Sequence, residues 1–240
     1  MEAMHRSFLR GLLGVHEKTP NKAVLGEFGR VPLELRWWKQ TLRYWQRIAE
    51  MPRDRILNAA YRENIELHAQ GRGGWYTAVL KWLTANQMEV GPSLDAAALF
   101  EKAVLAHLHS ERGVEGTKHV HYRSLKDYDN YQPEPYLELG NYHFRRIIAQ
   151  IRTGSNFLEV EMGRRSGTAH EDRVCKCCSL QQVEDETHFI FECEGYDTIR
   201  EKYCELFGHA CLRDFFKNGD LKAVAKFLTE CKNHRTSVLQ

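Results

Sequence analysis

Apolar residues recur three or four positions apart along most of this chain, and that spacing is typical of the buried face of an α-helix. The clearest stripe has gaps of three, four, three and four residues and consists of Leu35, Trp38, Leu42, Trp45 and Ala49. Shorter stripes predict further helices over 1–14, 53–68, 75–83, 100–108, 144–151, 199–207 and 221–228. We therefore predict a mainly α fold.

The helical pattern is interrupted between residues 110 and 140, where the chain is polar and contains scattered Tyr, Pro and Gly. Such composition is typical of connecting segments. We predict a helical region at 1–110, a linker at 111–140, a second helical domain at 141–232 and a frayed tail at 233–240. Within the second domain, the segment NFLEVEMGRR (156–165) alternates apolar and polar residues, which predicts a strand or an extended arm.

Four residues of the second domain have the types and spacing of a zinc site. They follow the pattern C-x2-C-x9-H-x4-C and are Cys175, Cys178, His188 and Cys193. Three thiolates and one imidazole are a ligand set of structural Zn²⁺, and four protein ligands leave no open position for a reactive water. Cys177 lies between the first two and is an alternative ligand to Cys178.

The predicted metal unit is a small hairpin followed by a helix. The cysteine pair fits one tight turn, and His188 and Cys193 fit one helix face. Asp185 precedes them as a plausible N-cap. The other cysteines, Cys204, Cys211 and Cys231, have no partner at ligand spacing, so we expect them to be core thiols.

Composition limits the possible environments of the chain. It is globular, with 42% hydrophobic and 28% charged residues and a formal net charge of +2. No apolar stretch reaches the length of a membrane span and the first residues do not read as a signal peptide, so we predict no membrane contact. We expect an intracellular protein, in the nucleus or cytoplasm, whose thiols stay reduced.

A local excess of positive charge adjoins the metal motif. Between 145 and 176 the chain has seven basic residues against four acidic ones. The basic residues are Arg145, Arg146, Arg152, Arg164, Arg165, Arg173 and Lys176. Guanidinium groups bind phosphates well, so we predict that this cluster contacts nucleic acid, RNA or DNA, with weak sequence preference. The alternative is a structural or protein-interaction module that docks on a polymerase or another protein.

The same part of the chain resembles a known family. The segments FRRIIAQIRTGSNFLEVEMGRRSG, RVCKCC and VEDETHFIFECEGYDTIREKY are similar to the C-terminal tail of reverse transcriptase proteins from non-LTR (LINE-type) retrotransposons. The opening FLRGLLGVHEKTPNKAVLGEFGRVPL resembles the segment that follows the polymerase region in such elements. The resemblance covers most of the chain and is strongest over 144–204.

The resemblance implies that Cys175, Cys178, His188 and Cys193 are the ligands of a zinc knuckle. It implies a tail that binds template RNA or target DNA beside a reverse transcriptase core. The parent family is an RNA-directed DNA polymerase, but this chain lacks an acidic motif between apolar strands and the carboxylate cluster of a nuclease. We therefore expect that it is not an enzyme by itself.

Overall fold

A computed structural model describes residues 1–88, 95–110, 117–126, 132–208 and 211–240. In these residues the fold is mainly α, as the apolar pattern predicted. The α-helices are, in chain order, α1 (Glu2–Leu13), α2 (Asn21–Glu27), α3 (Leu33–Ala49), α4 (Ile56–Ala69), α5 (Trp75–Ala85), α6 (Ala96–Ser110), α7 (Thr117–Leu125), α8 (Tyr142–Arg152), α9 (Glu159–Ser166), α10 (Asp197–Lys202), α11 (Leu212–Asn218) and α12 (Leu221–Val238). Short 3₁₀ turns lie at Pro135–Glu138, His170–Asp172, Glu194–Tyr196 and Cys204–Phe207, and a π-helical turn lies at His188–Glu192.

Extended pairing is minor in the described part of the chain. It consists of two isolated antiparallel bridges, Phe28 with Pro133 and Val174 with Val183. None of the described helices combines the length and the apolar character that a membrane span requires.

The chain divides into two compact units. One, the discontinuous unit, joins Ala3–Arg30 to Val114–Gln240, and the other, the inserted unit, is Val31–Gly113. The first thirty residues, which the sequence placed in a region at 1–110, therefore pack with the second half of the chain. Part of the linker predicted at 111–140 lies outside the described residues, but the described part contains α7 and the turn at Pro135–Glu138. Helix α12 continues to Val238, into the predicted tail.

The inserted unit is built on the apolar stripe of α3. Leu35, Leu42 and Trp45 are buried, and the rings of Trp38 and Trp82 stack with centroids 4.3 Å apart. The last buried residue of the helix is Ile48, whereas Ala49 is exposed. The stripe therefore ends one residue earlier than the spacing predicted.

The core of the discontinuous unit lies around α8 and α12. Helix α8 buries Ile147, Ile148 and Ile151, and it begins where the side chain of Asn141 accepts a hydrogen bond from the backbone N–H of His143. Helix α12 begins in the same way at Asp220. These side-chain acceptors satisfy backbone N–H groups that the first turn of a helix leaves unpaired.

Two buried ion pairs join distant parts of this unit. Arg152, at the end of α8, pairs with Glu27, at the end of α2, and its Nη2 lies 2.7 Å from a carboxylate oxygen of Glu134. Burial alone would lower the pKa of Arg152, but the charges of Glu27 and Glu134 outweigh burial and raise it. Arg235 of α12 pairs with Glu184 at 2.8 Å. Both pairs satisfy charges that would be costly to bury alone.

The segment predicted as a strand or extended arm at 156–165 is instead the helix α9, so that prediction was wrong. Leu158 is fully buried but Met162 is 46% exposed, so the alternating residues do not share one face. The carboxylate of Glu184 accepts a hydrogen bond from the backbone N–H of Glu159 at 2.8 Å and caps the first turn of α9. Because this cap comes from 25 residues further along the chain, the local pattern does not contain it.

Candidate metal centre

The two cysteines of the first pair lie on a short hairpin. Its backbone pairing is fixed by hydrogen bonds from Cys175 N–H to Gln182 O at 2.8 Å and from Glu184 N–H to Arg173 O at 2.9 Å. Val174 and Val183 form the bridge between its two sides. The hairpin therefore holds Cys175 at its base, with Cys178 in the loop that follows.

The histidine and the last cysteine lie on a π-helical turn rather than on the α-helix that the sequence predicted. Asp185 caps this turn as expected, because its Oδ1 accepts a hydrogen bond from His188 N–H at 2.8 Å. The backbone N–H of Cys193 donates to His188 O at 2.8 Å, five residues back. A π-turn closes this five-residue spacing, so it brings both side chains to the same side.

The hairpin and the turn bring the four predicted ligands together. One ligand atom from each of Cys175, Cys178, His188 and Cys193 lies within 4.8 Å of the others. The Cys175 and Cys193 sulfurs are 3.7 Å apart, and the Cys178 sulfur is 3.4 Å from His188 Nε2. Tetrahedral zinc with ordinary bond lengths gives separations of roughly 3.8 Å between sulfurs and roughly 3.5 Å between sulfur and nitrogen. The cluster can therefore bind a metal ion and is compatible with zinc.

Gln182 orients the imidazole of this group. Its Oε1 lies 3.0 Å from His188 Nδ1, and an amide oxygen only accepts hydrogen bonds. The proton of the neutral ring is therefore on Nδ1, which leaves the Nε2 lone pair directed towards the sulfurs. The ligand spacing gave no signal for Gln182, because its role depends on its place opposite Cys175 in the hairpin.

The buried thiols of this cluster favour protonation when no cation is bound. Burial raises the pKa of Cys193 to about 11 and raises the pKa of Cys175 as well. The thiolate is the form that binds zinc, so a bound metal would replace these protons and supply the compensating positive charge. Three of the four ligands are buried and Cys178 is half-buried, so little water reaches the site.

Cys177 lies outside the four-ligand group. It forms a second possible group with Cys175 and Glu184. The Glu184 carboxylate, however, already accepts hydrogen bonds from Arg235 and from the backbone of Glu159. The geometry therefore favours Cys178 over Cys177 as the fourth ligand.

The remaining cysteines divide between surface and core. Cys231 is fully buried, as expected, and burial raises its pKa. Cys204 and Cys211 are exposed, so the expectation that they are core thiols was wrong. Cys204 begins the 3₁₀ turn Cys204–Phe207 and Cys211 immediately precedes α11, and the buried residues of these segments are Leu206, Phe215 and Phe216.

Arg152 does not belong to a nucleic-acid-binding surface. It is 3% exposed, and both of its hydrogen-bonded edges face Glu27 and Glu134. A phosphate cannot reach this guanidinium in the folded protein. The sequence pattern led to a wrong assignment because it does not distinguish a basic residue that is exposed to solvent at a helix end from one that is buried against a carboxylate.

The other predicted basic residues differ in how many of their donors are used by hydrogen bonds and ion pairs within the protein. Arg145 donates to Leu139 O, and Arg173 donates to Thr168 O and Val160 O. Lys176 pairs with Glu159 but is 57% exposed. Arg146 is exposed on α8.

Arg164 and Arg165 form a pair on α9. Both bind the buried carboxylate of Glu161, and their side chains are 33% and 35% exposed. Lys118 reaches the same carboxylate from α7 at 2.6 Å, although the sequence placed it in a linker. Of the seven predicted residues, Arg164 and Arg165 are thus the two held together at the surface by a shared partner.

Comparison with family models, with curated proteins and with solved structures gives no match to this chain.

Proposed function

We propose that this chain is a nucleic-acid-binding module in which a structural zinc ion stabilises the fold, and that it has no catalytic centre of its own. The observation that carries the proposal is the closed group of three cysteines and one histidine directly beside α9. Four protein ligands leave zinc no position for an activated water. The metal would therefore act by fixing structure.

The zinc hairpin is joined to the helix that carries the paired arginines. The backbone N–H of Val160 donates to Glu184 O at 3.1 Å, and Lys176 pairs with Glu159 at 2.9 Å. A metal that fixes the hairpin thus also fixes the first turn of α9. Arg164 and Arg165 are then presented on a rigid element, which lowers the entropic cost of binding phosphates.

The resemblance to non-LTR retrotransposon proteins supports the same function. In that setting the module would bind template RNA or target DNA beside a reverse transcriptase core. It would act inside the cell, in the nucleus or cytoplasm, where its thiols stay reduced. Zinc knuckles are among the modules that recognise single-stranded RNA.

The test is binding of a fluorescent single-stranded RNA, and of DNA with the same sequence, at two salt concentrations. The double variant Arg164→Gln/Arg165→Gln should bind more weakly, and its salt dependence should be shallower by about 0.7 for each lost phosphate contact. Lys222→Gln/Lys226→Gln removes the same charge from an exposed part of α12 and should bind like the parent. Unchanged binding by the arginine variant would refute this surface. Arg152 is left intact because its loss would destabilise the fold.

A second candidate is docking on another protein, and the exposed face of α1 favours it. Met4, Phe8 and Leu12 follow one another at steps of four residues and are 75%, 64% and 46% exposed. Large apolar side chains in such a row commonly mark a contact surface. If the protein shifts neither RNA nor DNA in a gel at low salt, docking becomes the better proposal.

A further inference from the structure

A small cavity lies between α7, α9 and the hairpin that carries the metal ligands. Its volume is about 70 Å³. Its walls include Lys118, His121, Arg164, Arg173 and Glu161. About 10–15 Å³ of volume measured in this way holds one water molecule, so the cavity, which is partly open to solvent, has room for a small oxyanion.

The negative charges on its walls are already engaged. Glu161 accepts hydrogen bonds from Lys118, Arg164 and Arg165. Burial alone would raise the pKa of Glu161, but these cations outweigh burial and lower it. Glu186, the other carboxylate at the wall, accepts a hydrogen bond from Asn156 at 2.7 Å.

The positive charges around the cavity exceed these two carboxylates. Lys118, Arg164 and Arg173 line the cavity and carry three positive charges, against one negative charge each on Glu161 and Glu186. Arg173 donates only to the carbonyl oxygens of Thr168 and Val160 in the described structure, so its charge is solvated by dipoles and not neutralised.

The lysine of this group is the most enclosed cation. The side chain of Lys118 is 10% exposed, and within the described residues its one hydrogen bond, to Glu161, leaves two of three ammonium donors for other acceptors. Burial lowers its pKa, with Glu161 acting in the opposite direction. Buried positive charge in excess of its counterions favours binding of an anion.

His121 lines another wall of the cavity. Its Nε2 lies 2.9 Å from Ile151 O, so Nε2 carries a hydrogen, and its Nδ1 lies 3.7 Å from a Glu186 oxygen. His170 lines the same cavity. The Nε2 donor of His121 is therefore already taken by the backbone, and in the described structure the donors that remain for a tetrahedral oxyanion belong to Lys118 and to Nη1 of Arg164.

We infer that this cavity binds one phosphate group, which Lys118 and Arg164 contact directly. Unlike the exposed surface of Arg164 and Arg165, this site is a partly open cavity with a defined ligand chemistry. The phosphate would be free inorganic phosphate or, resting on the proposed function, a phosphate of the bound nucleic acid. A cavity of this size accepts a terminal phosphate more readily than a diester flanked by two sugars.

The experiment titrates the full-length, zinc-loaded protein with sodium phosphate by calorimetry, against sodium chloride at matched ionic strength. We expect one equivalent of phosphate to bind with saturation. Lys118→Met and Arg164→Gln should each weaken binding by about tenfold, the effect of losing one charge-assisted hydrogen bond. Lys226→Met, which removes an exposed lysine from α12, should bind phosphate like the parent.

Circular dichroism shows whether each variant is folded. If Lys118→Met does not fold, Arg164→Gln alone tests the site. Arg164 is a partly exposed residue, and Glu161 keeps two other cations without it. Heat signals equal to those of chloride, or unchanged phosphate affinity in the folded variants, would overturn the inference.

A second titration uses two oligonucleotides of one sequence, with a 5′-phosphate or a 5′-hydroxyl. Tighter binding of the phosphorylated strand, lost in Arg164→Gln, supports a terminal phosphate in the cavity. Equal binding of both strands, with competition by inorganic phosphate, supports an internal phosphate. Phosphate binding without any nucleic-acid binding would support the cavity site and refute the proposed function. Nucleic-acid binding without phosphate binding would support the proposed function and refute the cavity site.

Discussion

The guanidinium of Arg152 makes two parallel hydrogen bonds to the carboxylate of Glu27, which lies 125 positions earlier in the chain. The distances from Nε to Oε2 and from Nη2 to Oε1 are both 3.0 Å. Glu27 is fully buried, and Glu134 approaches the same guanidinium. This contact fixes the first thirty residues to the second half of the chain.

Loss of this cation should destabilise the protein strongly. Arg152→Leu leaves the Glu27 carboxylate buried with no counterion, and breaking a buried pair in this way costs about 3–5 kcal/mol of the free energy of unfolding. Urea denaturation followed by circular dichroism measures the change. Arg146→Gln, at an exposed position on the same helix, should stay within about 0.5 kcal/mol of the parent. Similar losses in the two variants would show that the ion pair is not important for stability.

Removal of the metal should unfold the region around the π-turn. We expect one equivalent of zinc in the reduced protein, since three thiols and one imidazole complete a tetrahedral shell. Cys193→Ser should lose the metal together with the near-ultraviolet signal of Phe189 and Tyr196, whose rings pack beside the turn with centroids 5.0 Å apart. Elemental analysis and circular dichroism measure both. Cys204→Ser serves as the control because Cys204 is exposed. Full retention of structure after chelation would contradict a stabilising metal.

Gln182 should tune the affinity for zinc without being a ligand. Gln182→Leu removes the acceptor of the His188 Nδ1 proton, and loss of such a partner typically weakens metal binding by about 10–100-fold. Competition with a chromophoric chelator gives the affinity. Ser179→Ala, at an exposed position in the same hairpin loop, should match the parent. If both variants bind zinc equally well, the imidazole is oriented by other contacts.

Glu161 should contribute to stability in a pH-dependent way. Its pKa in the folded protein is lowered by Lys118, Arg164 and Arg165, which outweigh the opposing effect of burial. A carboxyl with a lowered folded-state pKa stabilises the protein fully above its unfolded pKa of about 4.3, and this contribution is lost as the pH falls through the folded-state value.

The experiment compares the stability of the parent with that of Glu161→Gln between pH 7 and pH 3. The variant should be less stable at pH 7, and the difference should shrink below about pH 4 because the parent carboxyl is then protonated too. Urea midpoints at each pH measure it, with Glu171→Gln, at an exposed position, as the control. A difference that is constant from pH 7 to pH 3 would contradict an ionised Glu161.

The sequence predicted those features whose causes lie within a few residues. The stripe of α3 and the apolar face of α8 are local patterns, so the helical fold was correctly predicted. The four metal ligands span 18 positions from Cys175 to Cys193, and their spacing was enough to predict that they meet. Asp185 was identified as a cap because it lies only three residues before His188, whose backbone N–H donates a hydrogen bond to it.

Features that depend on residues far away in the sequence could not be predicted from local patterns. Helix α9 depends on the cap from Glu184, and nothing in the alternating segment around Leu158 indicates it. The burial of Arg152 depends on Glu27, and the role of Lys118 depends on Glu161, 43 positions away. For Arg152 and Lys118 the local pattern is compatible with an exposed charge, and only tertiary packing determines that the charge is buried.

The long separation between Glu27 and Arg152 also has a kinetic consequence. During synthesis, Glu27 leaves the ribosome well before Arg152 is made, so the acidic end of α2 stays in water until then. The short segment from Cys175 to Cys193, by contrast, can close as soon as it emerges. Contacts between residues far apart in sequence slow folding because a large loop must close first. The docking of the first thirty residues is therefore expected to be a late and slow step of folding, and until it occurs the core residues Leu9, Leu13, Val24 and Leu25 are open to aggregation.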